Sequence, residues 1–568
     1  MQHKADSINI VLAGGAGQGI QAIESILVDG IRRSGHHVFA TKEYMSRVRG
    51  GINSTSIRLS GKPVSAYSER IDILVALDRE AIPHLGSRVG PGTLVLGERE
   101  RIGHEGMIDV PFASVAAEAG SPLYANSVAV GVIGGLFGLD PEALSGAIGS
   151  YFASKSDEVR AMNVAACRRG GEIGQRIKAE RGFDPVARAP DTGILLSGAD
   201  AITLGAIAGG CNYVCAYPMS PGTTVLSAMA RYSRKLDILV EQVEDEIGVI
   251  NMALGAWYTG ARALVTTSGG GFALMSEGMS LAGMIESPVV VHLAQRPGPA
   301  TGLPTRTEQG DLALVLHAGH GEFPRAILSP GTLEEGFSLS HLAMNLADEC
   351  QIPVVILSDQ YFVDSYSDAP EFDVGGMGAR SAVVRTGGGY VRYAITDDGI
   401  SPRGVPGYGD GLVRVDSDEH DEVGYITEDL ALRARMVDKR MRKMKRVREL
   451  AVPPVLAGPH EYETLVVSWG STSPVVREAL SLFDSTGMAS LHFPQVFPLH
   501  ESTAGLLARA RKLILVEGNA TGQLGDVLWR ETGIDFAVKI LKYNGLPFSV
   551  EELSERLAAS IAAGGGNG

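Results

Sequence analysis

No stretch of this chain reaches the roughly 20 uninterrupted apolar residues that a membrane-spanning helix needs. The nearest approach, LAGMIESPVVVHLA, is broken by Glu286 and Pro288. The opening MQHKADSINIVLAGG also lacks the long apolar core of a secretory signal, so the sequence reads as cytoplasmic. Cysteine is scarce: Cys167, Cys211, Cys215 and Cys350 are the four among 568 residues. Their spacing matches neither a zinc site nor an iron–sulfur motif, and core thiols are the plain reading, with Cys211 and Cys215 on one face of a strand. Positive charge is in deficit, 50 Lys and Arg against 65 Asp and Glu, for a net charge of −15. That balance excludes a nucleic-acid partner, because phosphate contacts need a basic face. It leaves room for a small anion at a local site.

What is present is an ordinary globular composition, 45% hydrophobic and 20% charged, with 72 glycines that follow no collagen-like period. At about 150 residues per domain the length predicts three or four domains. The first, residues 1–185, opens with the strand SINIVLAG, the loop GAGQG and the helix IQAIESILVDGIRRSG. The loop departs from a dinucleotide fingerprint at Ile20 and lacks the Lys-Ser/Thr of a phosphate loop. Its glycines still permit a sharp turn that presents N–H groups at a helix start. SRVRGGINS, with Arg47, Arg49, Gly50 and Gly51, adds a basic loop, and RRGGEIGQRIKAERGFDPVARAPD reads as a terminal helix and a linker holding Pro185 and Pro190.

From residue 190 to 364 the short apolar strands NYVCAYP, LDILVEQ, ARALVTTS, SPVVVHLAQ and IPVVILSD alternate with helical stretches. That pattern predicts a parallel, doubly wound sheet, in which ligands bind beyond the carboxyl ends of the strands. YPMSPGTT, SGGGF and QRPGPATG all fall there. Residues 365–455 read as an irregular connector ending in a basic helix, RARMVDKRMRKMKRVR. Its charges are expected to form a solvated face in preference to a docking surface for an acidic partner. Residues 456–568 return to α/β alternation through TLVVSWGS and KLILVEGNATGQLGDVLW.

Three strand-end loops carry candidate chemistry. Arg296 in QRPGPATGLPT offers a planar fork that matches a carboxylate two bonds at a time, with Thr301, Thr305 and the hydroxyl of Ser220 available to complete the grip. Spacing alone equally allows Arg296 to pair with a structural acid such as Glu308 or Asp311. Glu244, Asp245 and Glu246 open a helix, where acids complement the dipole. Glu246 differs from the other two because Val249, Ile250 and Ala253 place it on the buried face. A carboxylate there needs a proton-bearing partner, such as the ring nitrogen of a cofactor.

YPMSPGTT, EDEIGVINMALGA, TTSGGGFALMSEG, QRPGPATGLPTRTEQGDL and VEGNATGQLGDVL together resemble the alpha subunit of 2-oxoacid:ferredoxin oxidoreductases, in the form with a gamma-type domain fused ahead of it. The resemblance covers nearly the whole chain and is specific from about 190 to 320. It implies a multidomain α/β fold: a gamma-type domain, a pyrimidine-binding domain of a thiamine enzyme, and a transketolase-C-like domain. It further implies thiamine diphosphate-dependent decarboxylation of a 2-oxoacid, acyl transfer to coenzyme A, and single-electron delivery through iron–sulfur clusters to ferredoxin. On that resemblance Glu246 meets N1′ of the aminopyrimidine, Arg296 and Thr305 hold the substrate's carboxylate and oxo group, and Ser220 stands where the family has threonine. Gly222 replaces a hydroxyl residue, Gly270 a proline, and Ala16 one loop glycine. The fused arrangement and GLPTRTEQGDL look most like the 2-oxoglutarate branch, with Arg306 available for a second carboxylate. Pyruvate, branched-chain 2-oxoacids and a non-catalytic scaffold are the alternatives.

The diphosphate and magnesium motif of such enzymes is Gly-Asp-Gly followed some 25 residues later by asparagine. GYGDGLVRV supplies Gly409-Asp410-Gly411, but no asparagine occurs between Asn345 and Asn519 and no apolar strand precedes it. The motif therefore reads as a loop. Diphosphate, Mg2+ and the [4Fe-4S] cluster are then expected in a partner chain, which in family terms is a beta subunit paired with this one as a heterotetramer, (alpha-beta)2.

Overall fold

The computed structural model describes residues 7–45, 51–182, 186–189, 191–483 and 487–563. Arg47, Arg49 and Gly50 of the basic loop, and Pro185 and Pro190 of the linker, lie outside them. The chain gathers into two compact units, one from Met1–Ser197, Ser365–Glu371 and Ser549–Glu551, the other from Gly198–Asp364, Phe372–Phe548 and Glu552–Gly568.

The first unit is built on an eight-stranded sheet in the order Ile108–Asp109, Leu94–Gly97, Ile73–Ala76, Ser7–Gly15, Ile52–Ser60, His37–Glu43, Tyr366–Ala369, Ile194–Ser197. Its opening strand runs antiparallel to Ile52–Ser60 and parallel to Ile73–Ala76. GAGQG makes the turn into the helix Ile20–Arg33: Gln18 Oε1 accepts from the Gly15 N–H at 2.9 Å, and Gln18 Nε2 donates to Asp78 at 3.1 Å. Gly19 sits at φ 79°, where a Cβ would fall 1.9 Å from Asn126, so both backbone sterics and packing require glycine there.

The charged stretch read as terminal helix and linker lies largely within one long helix, Asp157–Arg181. Ser156 caps it by accepting from Val159 N–H at 3.3 Å, and Asp157 and Glu158 occupy its first turn. It packs against Ala125–Phe137 at backbone distance. A Cβ on Gly131 would lie 1.9 Å from the Cys167 carbonyl oxygen, and one on Gly170 2.2 Å from that of Val128. Glycine serves close approach here, at the expense of intrinsic helix propensity.

The second unit holds two sheets. The seven-stranded one runs Gln495–Phe497, Ala326–Leu328, Pro353–Asp359, Val289–Gln295, Ala263–Thr267, Tyr213–Ala216, Leu239–Gln242. Every pair is parallel except the edge pair of Gln495–Phe497 with Ala326–Leu328. Val289–Gln295 and Pro353–Asp359 are buried at every residue, as central strands covered on both faces must be. Each of the five sequence-read strands is present, and Ala326–Leu328 is an addition too short to announce itself. The five-stranded sheet runs Val455–Ala457, Met488–Phe493, Thr464–Trp469, Lys512–Glu517, Val538–Leu541. The chain steps from it into the larger sheet at Gln495–Phe497. All four cysteines are buried free thiols, pushed up to about 12 by burial. Cys211 precedes the strand Tyr213–Ala216 that holds Cys215.

Residues 365–455 contain the strand Tyr366–Ala369 and the helix Leu430–Glu449. The basic helix meets the expectation of a solvated face only in part: Arg433, Arg435, Arg442, Lys445 and Arg448 are exposed, whereas Lys439, Arg440 and Lys443 turn inward. Lys439 and Lys443, one turn apart, are fully buried and clasp Glu286 at 2.6 and 2.5 Å. Arg440 reaches Glu419 at 2.8 Å and is also buried. Burial drives the Glu286 carboxyl upward, but Lys443, Lys439 and Arg392 outweigh it and bring it down to about 2. Two of the basic residues in this stretch thus neutralise a buried acid some 150 residues away in sequence.

Candidate active site

The loops beyond the carboxyl ends of the seven-stranded sheet converge on SGGGF, where Ser268 leads into the first turn of the short helix Gly269–Leu274. The helix Glu246–Tyr258 buries Glu246, Val249, Ile250, Ala253, Leu254 and Trp257, a continuous stripe at helical spacing. Asp245 caps it, accepting from Gly248 N–H at 2.6 Å, so the dipole is met by an exposed residue and Glu246 is free to turn inward. Glu246 is 3% exposed, and its Oε1 has no hydrogen-bond partner among the described residues. A buried carboxylate oxygen left in this state costs free energy until a donor arrives. Gly271 stands directly against it: a Cβ there would fall 2.6 Å from Glu246 Oε1 and 2.3 Å from Thr267 Oγ1.

Arg296 follows the strand Val289–Gln295 and is partly buried. One terminal nitrogen donates to the Ser220 carbonyl at 2.6 Å, while Nε is buried with no partner among the described residues. Burial lowers its pKa and Asp311 pulls it back up. Ser220 is exposed, and its backbone rather than its hydroxyl is what Arg296 holds. Gly222 lies so close to the next strand that a Cβ would sit 2.6 Å from the Thr267 carbonyl, which explains the missing side chain there. Gly270 has room: a Cβ would meet only the Ala300 carbonyl at 3.9 Å and Met219 Sδ at 4.0 Å. Thr305 is partly buried in the turn that follows Pro304.

This turn rests on the second sheet. Gln309 donates from its backbone to Gly518 at 2.6 Å and from Nε2 to the Trp469 carbonyl at 2.9 Å, and accepts from Gly518 N–H at 2.8 Å. Glu517 beneath is fully buried yet satisfied, accepting from Trp469, Asn519, Leu524 N–H and Gly525 N–H. RTEQGDL and VEGNATGQLGD were both visible as motifs, and the structure brings them together. The stem of Arg306 packs on Gly545, with a Cβ there 3.3 Å away.

Spacing alone makes Asp311 a structural acid, and the structure brings it into the site. A Cβ on Gly269 would fall 2.4 Å from Asp311 Oδ2, so the same glycine turn carries one carboxylate on each flank, Asp311 at Gly269 and Glu246 at Gly271. Burial pushes the Asp311 carboxyl up to about 6, with Arg296 opposing. Three consecutive glycines behind a buried strand were the available signal. Gly409-Asp410-Gly411 lies in a loop, with Asp410 N–H donating to the Thr386 carbonyl at 3.0 Å. Among the described residues no group of three His, Cys, Asp or Glu side chains could hold a metal ion, and no helix is long and apolar enough to cross a membrane.

Residues 204–439 match the family model described as pyruvate flavodoxin/ferredoxin oxidoreductase, thiamine diphosphate-binding, and residues 9–173 match pyruvate ferredoxin/flavodoxin oxidoreductase. The 2-oxoacid:ferredoxin oxidoreductase subunit alpha of a Sulfolobus species is 33% identical over 98% of this chain and 97% of its own. The chain belongs to this family of alpha subunits. The 2-oxoglutarate oxidoreductase subunit KorA of Mycobacterium tuberculosis is 24% identical over 99% of this chain and 92% of its own. Among solved structures, the 2-oxoglutarate:ferredoxin oxidoreductase of Magnetococcus marinus, with 2-oxoglutarate, coenzyme A and succinyl-CoA bound, superposes with a TM-score of 0.90 at 30% identity. That match covers 98% of this chain and 100% of the other.

Proposed function

We propose that this alpha subunit serves oxidative decarboxylation of 2-oxoglutarate to succinyl-CoA and CO2, with electrons passed to ferredoxin, at a thiamine diphosphate site shared with a beta subunit. The observation that carries the reading is a pair of buried groups with no partner among the described residues, Glu246 Oε1 at a helix start and Arg296 Nε on a loop, both beyond the carboxyl ends of one sheet. The Magnetococcus enzyme, similar over the full length and carrying 2-oxoglutarate and coenzyme A, supports the substrate choice.

Glu246 is the residue suited to the cofactor's aminopyrimidine: a buried carboxylate with an empty acceptor can take a hydrogen bond from a protonated ring nitrogen and hold that proton in place. Bound thiamine diphosphate supplies the carbanion chemistry that decarboxylation of a 2-oxoacid requires. Arg296, steadied by the Ser220 carbonyl, keeps Nε and its second terminal nitrogen for a carboxylate, and Thr305 and the Ser220 hydroxyl are proposed to orient the oxo group. Mg2+ and the [4Fe-4S] cluster are assigned to the beta subunit, in an (alpha-beta)2 assembly. The division into a gamma-type domain over 1–185, a pyrimidine-binding domain over 190–364 and a transketolase-C-like domain from 456 is part of the same proposal.

The test is Glu246→Gln in the complex assembled with the beta subunit. Thiazolium C2 deuterium exchange by the bound cofactor should slow at least about 100-fold, the scale of a lost proton-transfer partner, while subunit assembly persists. Exchange at the wild-type rate would reject the assignment.

A further inference from the structure

We propose that Asp311 is a positioning residue for Arg296: it serves as the guanidinium's resident counter-anion while the site is empty and takes up a proton from solvent when a substrate carboxylate binds. The inference rests on the reading of Arg296 as the carboxylate anchor.

The geometry carries it. Asp311 is fixed from two sides, its backbone N–H donating to Gln295 Oε1 at 2.9 Å and its carboxyl group seated against Gly269. Gln295 is the residue just before Arg296, so the acid and the base are tied to one strand end. Oδ2 of Asp311 and Nε of Arg296 are both buried, and neither has a hydrogen-bond partner among the described residues. Opposite charges are thus held near each other without closing an ion pair. An arginine sealed by its own carboxylate would be closed to substrate, whereas a free one in a partly buried loop would suffer its desolvation unrelieved. A nearby, unbonded carboxylate relieves the charge and leaves the donors open.

The surrounding charges are few: Arg296 and Glu308, with Glu246 beyond Gly271 on the far flank of the same glycines. Arg296 attracts the Asp311 carboxylate, and Glu308 on the preceding turn is raised by burial and then by Asp311. The helix Gly269–Leu274 has no ionisable side chain, and the helix Gln523–Thr532 presents Gln523, which accepts from Ala313 N–H at 2.8 Å. Burial already holds Asp311 at about 6. A second carboxylate on the same guanidinium adds negative charge and weakens the hold of Arg296 on Asp311, and both effects raise that value further. Linkage then gives the sign. Below about pH 6 Asp311 is protonated before and after binding, and affinity is flat. Above it, binding must take up a proton, so KM rises with pH, by up to roughly tenfold per unit, until the pKa of the complex is passed.

The experiment measures KM for 2-oxoglutarate from pH 5.5 to 8.5 with the assembled alpha–beta enzyme, comparing wild type, Asp311→Asn, Glu308→Gln and Arg296→Ala. The proposal expects KM to climb above pH 6 in wild type and Glu308→Gln, and to be flat in Asp311→Asn and lower than wild type at pH 8. A wild-type slope retained in Asp311→Asn, a uniform rise in its KM, or a slope abolished by Glu308→Gln overturns the inference. If Arg296→Ala leaves KM unchanged, the anchor reading itself fails; if it raises KM while Asp311→Asn keeps the slope, only the role of Asp311 fails. A second readout needs no variant: calorimetry of glutarate binding to the wild-type complex at pH 7 in two buffers of different ionisation enthalpy. Net proton uptake is expected, and buffer-independent heats overturn the proposal.

Discussion

Glu286→Ala should destabilise the second unit far more than a typical substitution does, because of what it leaves behind. Lys439 and Lys443 have side-chain exposures of 0% and 2% and share that one carboxylate. Removing one partner of a buried ion pair costs about 3–5 kcal/mol, most of it the stranded charge; for a unit of this size that lowers Tm by roughly 4–6 °C. Burial lowers Lys439, which the attraction of Glu286 holds at about 8; without the carboxylate both lysines deprotonate more readily. The deficit of the variant should therefore shrink between pH 7 and 9. The wild-type sign at the acid end is opposite. Glu286 lies below its ordinary carboxyl value, so its contribution is complete above that value and lost as pH falls through about 2. Differential scanning calorimetry of the isolated chain at pH 7 and 9 is the assay, with the triple variant Glu286→Leu, Lys439→Met, Lys443→Met as control. An apolar triad of similar volume should recover most of the loss. A Glu286→Ala transition within about 1 °C of wild type at pH 7 would refute the reasoning, as would a deficit that grows at pH 9.

Gly271→Ala should reduce turnover by roughly 100-fold, because its Cβ would collide with Glu246 Oε1 at 2.6 Å and shift a group whose placement matters at the ångström scale; a normal kcat in the assembled enzyme would contradict that. Gly170→Val should lose about 1–3 kcal/mol or more by prising apart two helices in backbone contact, read as a lower thermal midpoint of the first unit, and an unshifted midpoint would refute it. Arg296→Ala should raise KM for the 2-oxoacid about 30-fold or more, the scale of a lost charge-assisted hydrogen bond, with complex formation intact by gel filtration; a wild-type KM would remove it as anchor.

The parallel sheet was legible because its central strands, such as Val289–Gln295 and Pro353–Asp359, are buried on both faces and so read as unbroken apolar runs between helices. Glu246 was legible for a related reason: Val249, Ile250 and Ala253 on its own helix declare which way it points. What escaped notice depends on contacts between distant segments. Nothing near Lys439 or Lys443 names Glu286 as their partner, and an i, i+4 pair of lysines looks the same on a wet face as on a buried one. Asp311 could be placed near Arg296 by spacing, but its seat against Gly269 is a property of two loops meeting. Gly131 and Gly170 weaken their helices taken singly and make sense only when paired. The strand Ala326–Leu328 is too short for any periodicity to develop.

The most direct test of the proposed activity is reduction of ferredoxin by this chain assembled with its beta subunit, supplied with coenzyme A and, in turn, 2-oxoglutarate, pyruvate and 2-oxoisovalerate. The account predicts coenzyme A-dependent reduction with the highest kcat/KM for 2-oxoglutarate, and none from the alpha subunit alone. Reduction by the isolated chain, or none with any 2-oxoacid by the complete complex, would contradict it.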